Sequence, residues 1–186
     1  MDSAIELFEI FVQEDLFLRL ATPSDAPALF KVLAENRAYL AQNLPWVNNY
    51  SEADLKAFLT EAQAAFYRGA IFEYLIVKSH KIIGIVELND VNANERSGEI
   101  GYWLAEKFTG HGIATQSVKA LVAVLSRAAG VHRFVIRTDP NNLASQQVAK
   151  NAGFIYEGIR REDHFTLNKF SDSAVYYYLA QNKNQP

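Results

Sequence analysis

The amino-acid sequence predicts an α+β fold in which helices cover a mixed β-sheet. Three consecutive strand-like segments separated by short polar turns are typical of an antiparallel meander. Further along, strand-like and helix-like segments alternate, which is typical of crossovers between parallel strands. No internal repeat, low-complexity tract or linker rich in proline, glycine and serine divides the chain, so we expect residues 1–186 to form a single domain.

The N-terminal region holds two apolar-rich stretches, Ile5–Val12 and Leu16–Leu20. We expect them to form a strand pair, although phenylalanine and leucine at these positions also suit a short helix. The first helix is predicted to begin after Thr22, which offers a hydroxyl cap, precedes a proline and has an acidic residue three positions later. This helix is predicted to run to about Leu40.

The second helix has a capping pattern of its own. Ser51 and Asp54 are spaced three apart before apolar residues at helical spacing, and Gly69 is a suitable stop. Beyond this helix, aromatic and β-branched residues predominate, as expected for a meander. The strands predicted there are Phe72–Val77, Ile82–Leu88 and Glu99–Leu104.

The second half of the chain is predicted to alternate between helices and strands. Apolar residues at helical spacing fill Ala114–Ala129, and Gly130 lies where a C-terminal cap is expected. The remaining elements are a buried strand at Arg133–Thr138, a short helix at Ala144–Ala152 closed by Gly153, and strands at Phe154–Ile159 and Ala174–Leu179.

The composition excludes several classes of function. The chain has 18 lysines and arginines against 21 aspartates and glutamates, a formal net charge of -3, and no cysteine. Without cysteine there is no disulfide framework, no thiolate zinc site and no cysteine nucleophile. The negative net charge argues against direct nucleic-acid binding, and the four histidines lack metal-ligand spacing.

The N-terminal segment carries acidic residues where a signal peptide carries basic ones. No uncharged run reaches the roughly 20 apolar residues that a membrane span requires. We therefore expect a cytoplasmic protein that has no metal site and does not enter a membrane.

A glycine-bearing segment, 107–115, joins a predicted strand directly to the long helix. Gly110 and Gly112 let the backbone approach a ligand closely, and free N–H groups of the first helical turn point at that ligand. The segment lacks both the Gly-Lys-Ser/Thr of the Walker motif and the third glycine of the dinucleotide fingerprint. It indicates a phosphate site for another cofactor, with a purely structural turn as the alternative.

Polar residues on both sides of this loop are candidates for chemistry. Glu99 lies on the strand before the loop, where an acidic side chain is usually solvent-facing. Asn142 and Ser145 begin the short helix that follows a buried strand. Helix capping explains one of these two polar residues and leaves the other without a structural reason.

In this order, these pieces resemble the GNAT superfamily of acetyl-CoA-dependent N-acetyltransferases, and within it the RimJ/RimL type of ribosomal-protein N-terminal acetyltransferase. The resemblance covers roughly Leu16 to Leu179. It is carried by Glu99–Leu104, by the loop 107–112, which matches the family's Q/R-x-x-G-x-G/A pattern with Lys107 in first place, and by Asn142–Ser145, Asn151–Phe154 and Glu157–Arg160. The fold that it implies is a mostly antiparallel central sheet, splayed at the cofactor site, with helices on both faces.

The resemblance also implies acetyl-CoA as co-substrate and a direct attack of the acceptor amine on its thioester. The pantetheine arm would lie beside the main chain of Trp103 and Leu104 and the side chain of Asn142. Glu99 would be the base. Ser145 would be the acid or the hydrogen-bond donor to the thiolate, in a helix where many family members have a tyrosine. The residues expected at the phosphates are Lys107, Gly110, His111, Gly112, Ile113, Ala114 and Thr115.

The acceptor side is expected to come from the first two helices and the loop between them, where Tyr39, Trp46 and Tyr50 cluster. Trp46 could instead be a core anchor for the two helices. The expected acceptor is a protein N-terminal amine. A small-molecule amine such as a polyamine or an aminoglycoside is the alternative within enzymes, and a non-catalytic acyl-CoA sensor is the alternative outside them. Tyr176–Tyr178 could complete the sheet or line a homodimer interface.

Overall fold

The computed structural model describes residues 7–166 and 168–180, which form one eight-stranded sheet with helices on both faces. The strands are β1 (Glu9–Gln13), β2 (Leu16–Leu20), β3 (Phe72–Lys78), β4 (Lys81–Asn92), β5 (Ser97–Leu104), β6 (Arg133–Thr138), β7 (Ile155–Thr166) and β8 (Lys169–Leu179). The helices are α1 (Ala26–Glu35), α2 (Arg37–Leu40), α3 (Glu52–Phe66), α4 (Ile113–Ala128) and α5 (Leu143–Asn151).

The strand order is β1-β2-β3-β4-β5-β6-β8-β7, and the pairing of β5 with β6 is parallel while the other neighbours are antiparallel. The parallel register extends over three residue pairs and ends where Glu99 lies opposite Val135. Beyond this pair β5 stays with β4, and β6 stays with β8. The sheet therefore opens between β5 and β6 directly after Glu99, and the expected mixed, splayed sheet is confirmed.

Two hydrophobic cores hold the sheet in place. On one face, α1 and α3 bury leucines such as Leu29 and Leu59 against Leu75 and Trp103. On the other face, α4 and α5 cover a core that includes Leu121. Since each fully buried leucine contributes about 1.5–3 kcal/mol, these cores fix the sheet that carries the opening.

Strand β4 lies against β5 at a glycine. A Cβ atom on Gly84 would clash with the carbonyl oxygen of Trp103, so any larger residue would push the two strands apart. This close approach keeps β5 attached to β4 on the side of the sheet away from the opening.

The two predicted capping patterns are present. Ser51 and Asp54 form a capping box at the start of α3, and Thr22 and Asp25 form one at the start of a 3₁₀ turn that leads into α1. The single helix predicted as far as Leu40 is interrupted at Asn36. The Asn36 side chain donates to the carbonyl of Val32 and accepts, at 2.9 Å, the N–H of Glu106.

The final hairpin is longer than predicted. Strand β7 continues to Thr166 and β8 begins at Lys169, whereas the sequence indicated an end at Ile159 and a start at Ala174. Half of the added residues are charged, and they form a largely exposed ribbon with a bulge, so they lack the apolar alternation that marks a strand. The first strand, predicted at Ile5–Val12, runs from Glu9 to Gln13, so Leu7 and Phe8 lie before it, and residues 5 and 6 lie outside the described residues.

The three tyrosines of β8 lie within the sheet and not on an exposed edge strand. Tyr176 lies opposite Ile136 and is buried, and Tyr178 packs edge-on against Phe134. Strand β8 lies between β6 and β7 and is not an edge strand. Within residues 7–166 and 168–180, no helix is long and apolar enough to cross a membrane.

Candidate active site

The opening between β5 and β6 exposes backbone groups of β5. The N–H of Ala105 donates to the carbonyl of Ile83 on β4 at 2.8 Å. Because backbone groups alternate in direction along a strand, the N–H groups of Trp103 and Gly101 also face β4. Those of Leu104 and Tyr102 face the opposite way, into the opening. Of the two predicted main-chain positions, Leu104 therefore faces the opening, while the Trp103 side chain is buried under α1 and α3.

The glycine loop follows β5 after one 3₁₀ turn and leads into α4. Gly110 and Gly112 have φ values of +79° and +75°, a left-handed conformation that favours glycine, and a Cβ on either would meet open space. Among the described residues, the N–H groups of 110–115 donate to no acceptor, and Gln116 makes the first helical bond to Gly112. The loop thus presents six free N–H groups at the positive end of a 16-residue helix.

Lys107, His111 and Thr115 all lie in this segment, but the side chains of Lys107 and His111 are exposed. The Lys107 ammonium lies 5.1 Å from the ring centre of Phe108. Ile113 is buried against the core and fixes the start of α4. The positive potential of the loop therefore comes first from backbone groups, and the lysine adds to it from the surface.

Ser145 and a tyrosine meet on the face of the sheet that carries α4 and α5. The hydroxyl of Tyr102 lies 2.8 Å from Oγ of Ser145 and donates toward the Ser145 carbonyl at 3.2 Å. Asn142 caps α5, since its Oδ1 accepts the N–H of Ser145 at 3.0 Å. Burial raises the pKa of Tyr102 to about 12, so its hydroxyl stays protonated at neutral pH.

Glu99 lies on the other face, where its side chain forms an ion pair with Arg137. The Glu99 side chain is 19% exposed, and its burial raises its pKa more than Arg137 lowers it. Arg137 also lies 3.6 Å from Asp163, which β7 brings to the site and which Arg160 holds at 3.0 Å. The structure thus adds Arg137 and Asp163 to the residues predicted around Glu99.

The loop between α2 and α3 packs on this face of the sheet. The Arg37 guanidinium donates to the carbonyl oxygens of Val47 and Tyr50, which fixes the loop against α2. Val47 is fully buried, whereas Trp46 is 46% exposed and packs edge-on against Tyr50 at 4.9 Å. The interpretation of Trp46 as a core anchor is wrong, because Val47 has that place. Tyr39 lies half-buried beside the same core.

Two carboxyl groups lie in the middle of the sheet on this same face. Glu73 on β3 is opposite Glu87 on β4, and Glu73 is only 2% exposed. Burial, then the neighbouring charge of Glu87 and a hydrogen bond to it, raise the pKa of Glu73 well above its usual range. This pair was not among the residues predicted from the sequence, although two acids in the middle of apolar strands are an unusual pattern that could have indicated it.

The structure therefore divides the predicted residues between the two faces of one opening. Glu99 and the aromatic loop residues share the face of α1 and α3, and Ser145 and Asn142 lie on the face of α4 and α5. Arg137 lies two residues after Val135, the partner of Glu99 in the parallel register, so it could be placed beside Glu99 only once that register was known. Among the described residues, no group of three or more metal-ligating side chains is present.

A mixed sheet that opens beside a glycine loop and a helix N-terminus is the architecture of an acyl-CoA-dependent acetyltransferase. Residues 15–155 match the family model described as acetyltransferase (GNAT) domain. The chain belongs to this family and is an N-acetyltransferase.

Two curated relatives match most of the chain. One is the ribosomal-protein-serine acetyltransferase of Escherichia coli (strain K12), 30% identical over 168 residues, with 90% of this chain and 94% of the relative covered. Another is the putative ribosomal N-acetyltransferase YdaF of Bacillus subtilis (strain 168), 27% identical, with 93% of this chain and 95% of the relative covered.

A solved structure with a similar fold is that of RimL, a ribosomal L7/L12 alpha-N-protein acetyltransferase, in complex with coenzyme A. It is 31% identical, with a TM-score of 0.87 and coverage of 92% of this chain and 97% of that one. In that structure coenzyme A is in disulfide linkage to a cysteine. The present chain has no cysteine and cannot form such a link.

The raised pKa of Glu73 predicts a pH-dependent stability. Unfolded, Glu73 loses its proton near about pH 4.3, whereas folded it keeps the proton to higher pH. The free energy of unfolding should therefore fall as pH rises through this interval, by up to about 1.4 kcal/mol per pH unit from this group. Glu73→Gln removes the titration, so its stability advantage over the parent should grow from pH 4 to neutral pH in urea unfolding. The matched variant Glu61→Gln, on the exposed surface of α3, should follow the parent curve, and parallel curves for all three proteins would contradict the assignment.

Proposed function

We propose that this enzyme transfers the acetyl group of acetyl-CoA to the N-terminal α-amine of a protein by direct attack within a ternary complex. One observation supports the proposal most strongly: Glu99 and Ser145 lie on opposite faces of the sheet at the same opening. A thioester held in the opening would have a base on its acceptor side and a hydroxyl donor on its thiolate side. The names of the relatives support a protein N-terminus as acceptor.

The cofactor would be held mainly by backbone groups. The pyrophosphate would accept hydrogen bonds from N–H groups of the loop 110–115, with Lys107 and His111 at its edge. The pantetheine arm would replace β6 as the partner of β5, at the N–H groups that face the opening. Asn142 has its Oδ1 engaged in the helix cap, which leaves its amide NH₂ for the arm.

Glu99 is the proposed base. An α-amine has a pKa of about 7.7–8.0, so it must lose a proton before it attacks, directly to Glu99 or through a water. Partial burial raises the pKa of Glu99 toward that of the amine, and Arg137 keeps the carboxylate ionised and oriented. As the amine attacks the carbonyl carbon, negative charge develops on the thioester oxygen, for which the N–H of Leu104 is the proposed donor.

Ser145 is the proposed donor to the departing thiolate. When the tetrahedral intermediate collapses, the carbon–sulfur bond breaks and its electron pair stays on the sulfur of coenzyme A. Either hydroxyl can be the donor in the Tyr102–Ser145 pair. The Ser145 hydroxyl can hydrogen-bond that sulfur when Tyr102 turns its one proton from the Ser145 carbonyl to Ser145 Oγ. Tyr102 is thus a positioning residue for Ser145 and replaces the tyrosine that α5 lacks.

The acceptor would enter between the loop of Tyr39, Trp46 and Tyr50 and the long β7–β8 hairpin. The exposed Trp46 and half-buried Tyr50 offer aromatic surface to the first residues of a peptide. Arg137, Asp163 and Glu99 form the opposite wall. This cleft is open to an extended chain, as acetylation of a protein terminus requires.

Replacing Glu99 with glutamine separates an enzyme from a sensor. We expect Glu99→Gln to lower kcat by about 10²–10⁴-fold, the usual contribution of a general base, while calorimetric affinity for acetyl-CoA is kept. Turnover is measured as free coenzyme A released in the presence of N-terminal serine and alanine peptides. If the parent protein binds acetyl-CoA but releases no coenzyme A with any amine, the sensor interpretation replaces the proposal.

Glycine at position 110 tests the phosphate cradle. Gly110→Val forces a β-branched side chain into a left-handed position and into the open space beside the free N–H groups. Affinity for coenzyme A should fall by at least about tenfold in calorimetry. Gly69→Val is the matched control, because Gly69 also has a positive φ of +68° and open space around it but lies far along the chain in another loop. Equal affinities of the two variants for coenzyme A would contradict the assignment of the loop 110–115 as the phosphate site.

The Tyr102 and Ser145 hydroxyls should act as one unit. We expect Ser145→Ala to lower kcat roughly 10–100-fold without raising KM for acetyl-CoA, since the donor acts on the thiolate as it forms. Tyr102→Phe should lower kcat in the parent but have little further effect in the Ser145→Ala background. A double-mutant cycle measures this coupling, and additive effects would show that Tyr102 does not work through Ser145.

A further inference from the structure

The carboxyl groups of Glu73 and Glu87 have no role in the transfer described above. Glu73 is only 2% exposed to solvent, and its Oε2 has no hydrogen-bond partner among the described residues. Glu87 is half-buried, so the pair is reached from the cleft through Glu87. Within the same part of the chain, no lysine, arginine or histidine forms an ion pair with either group.

The neighbouring strand is shaped around Glu87. Gly101 on β5 lies opposite Glu87, and a Cβ atom there would be 2.6 Å from Glu87 Oε1. The carboxylate therefore lies over the bare backbone of β5. Asn89 donates to the same Oε1 at 3.1 Å and lies opposite Glu99 in the register, which links the pair to the proposed base.

The pair lies on the acceptor face. Glu73, Glu87 and Glu99 all project to the side of the sheet that carries α1 and α3, because their neighbours along each strand belong to the core on the other side. Glu73 lies opposite Glu87 across the strands. Glu87 lies opposite Gly101, which is two residues from Glu99 on β5. Tyr50 packs against the core of the same face. Burial, then the charges of Asp54 and Glu73, raise the pKa of Tyr50. Arg37 on α2 donates to two backbone carbonyls of the loop between α2 and α3 and forms no ion pair with Glu73 or Glu87.

Two carboxyl groups without a cation are costly in a partly buried site, and a cationic ligand relieves that cost. Glu73 can give its one proton to a hydrogen bond with Glu87, which leaves a single negative charge facing the cleft. On the same face, Tyr50 packs edge-on against Trp46, and aromatic rings favour a cation over an apolar or anionic group.

We propose that Glu87, backed by Glu73, binds a second positive charge on the acceptor and so selects amines that carry one. Glu87 lies opposite Gly101, two residues from Glu99 on the same strand face, which corresponds to about 7 Å. The acceptor class is therefore a protein N-terminus with lysine or arginine among its first three residues. This inference rests on the proposed function, and a diamine carries the same chemistry at a similar spacing.

The test compares matched acceptors that differ only in that charge. The peptide arm uses N-terminal serine hexapeptides with lysine at position two or three, each against its twin with Nε-acetyl-lysine. The diamine arm uses 1,4-diaminobutane against n-butylamine. In the parent enzyme, kcat/KM for the better lysine peptide should exceed that of its neutral twin by at least about tenfold, as expected for a partly desolvated charge pair.

Variants assign the preference to the pair. Glu87→Gln should reduce the ratio of charged to neutral kcat/KM to near one. Glu73→Gln should keep most of the ratio, because its amide still donates to Glu87, whereas Glu73→Met should lose it. Glu61→Gln removes a carboxylate from the exposed surface of α3 and should keep the parent ratio. A ratio that survives Glu87→Gln would overturn the inference.

The outcomes separate this inference from the proposed function. Acetylation of all peptides without a charge preference keeps the proposed function and overturns the inference. Turnover of the diamine but of no peptide overturns the N-terminal acceptor and supports the pair, provided that n-butylamine is the poorer substrate and Glu87→Gln removes the difference. If no amine is acetylated, the melting-temperature shift with 1,4-diaminobutane decides: loss of that shift in Glu87→Gln supports the pair, and its persistence or its absence in the parent contradicts it.

Discussion

The parallel pairing between β5 and β6 extends over three residue pairs, and the geometry of the whole site depends on its ending at Glu99. Beyond that point β5 keeps its bonds to β4, so alternate backbone groups, among them the N–H of Leu104, face an opening instead of a strand. The alternation of side chains along β5 places Glu99 on the face of α1 and α3, while α5 carries Ser145 on the other face. The glycine loop begins within a few residues of the end of β5, so the proposed phosphate site and the proposed acyl position both depend on this strand.

The electrostatics of the site follow from burial rather than from net charge. Free N–H groups and a helix dipole supply the positive potential for an anionic cofactor, which is compatible with a chain of net charge -3. On the acceptor face, partial burial raises the pKa of Glu99, while Arg137 limits the rise. Among the described residues, no lysine, arginine or histidine forms an ion pair with Glu73 or Glu87, so these carboxyl groups lack the partner that Arg137 gives to Glu99.

Local features of the fold could be predicted from sequence, because they depend on neighbours along the chain. The apolar period of α4, the capping box of Ser51 and the strand β6 are of this kind. The opening between β5 and β6 could be predicted only from the family resemblance, because it depends on how far two distant strands stay paired. Arg137 meets Glu99 through that same pairing. The strands of the β7–β8 ribbon were predicted too short, because its charged residues show no apolar alternation. In the 3₁₀ turn that begins at Pro45, Val47 is buried and Trp46 is exposed.

The alternation of backbone groups along β5 is the central claim, and residue-resolved amide hydrogen exchange tests it most directly. Without cofactor, the amides of Tyr102 and Leu104 should exchange faster than those of Gly101 and Trp103, which are bonded to β4. Saturating acetyl-CoA should slow exchange at Tyr102 and Leu104 and leave the other two nearly unchanged, because the pantetheine arm takes the place of a strand. Acetyl-CoA binding without slower exchange at Tyr102 and Leu104, or with equal slowing at all four amides, would contradict the account.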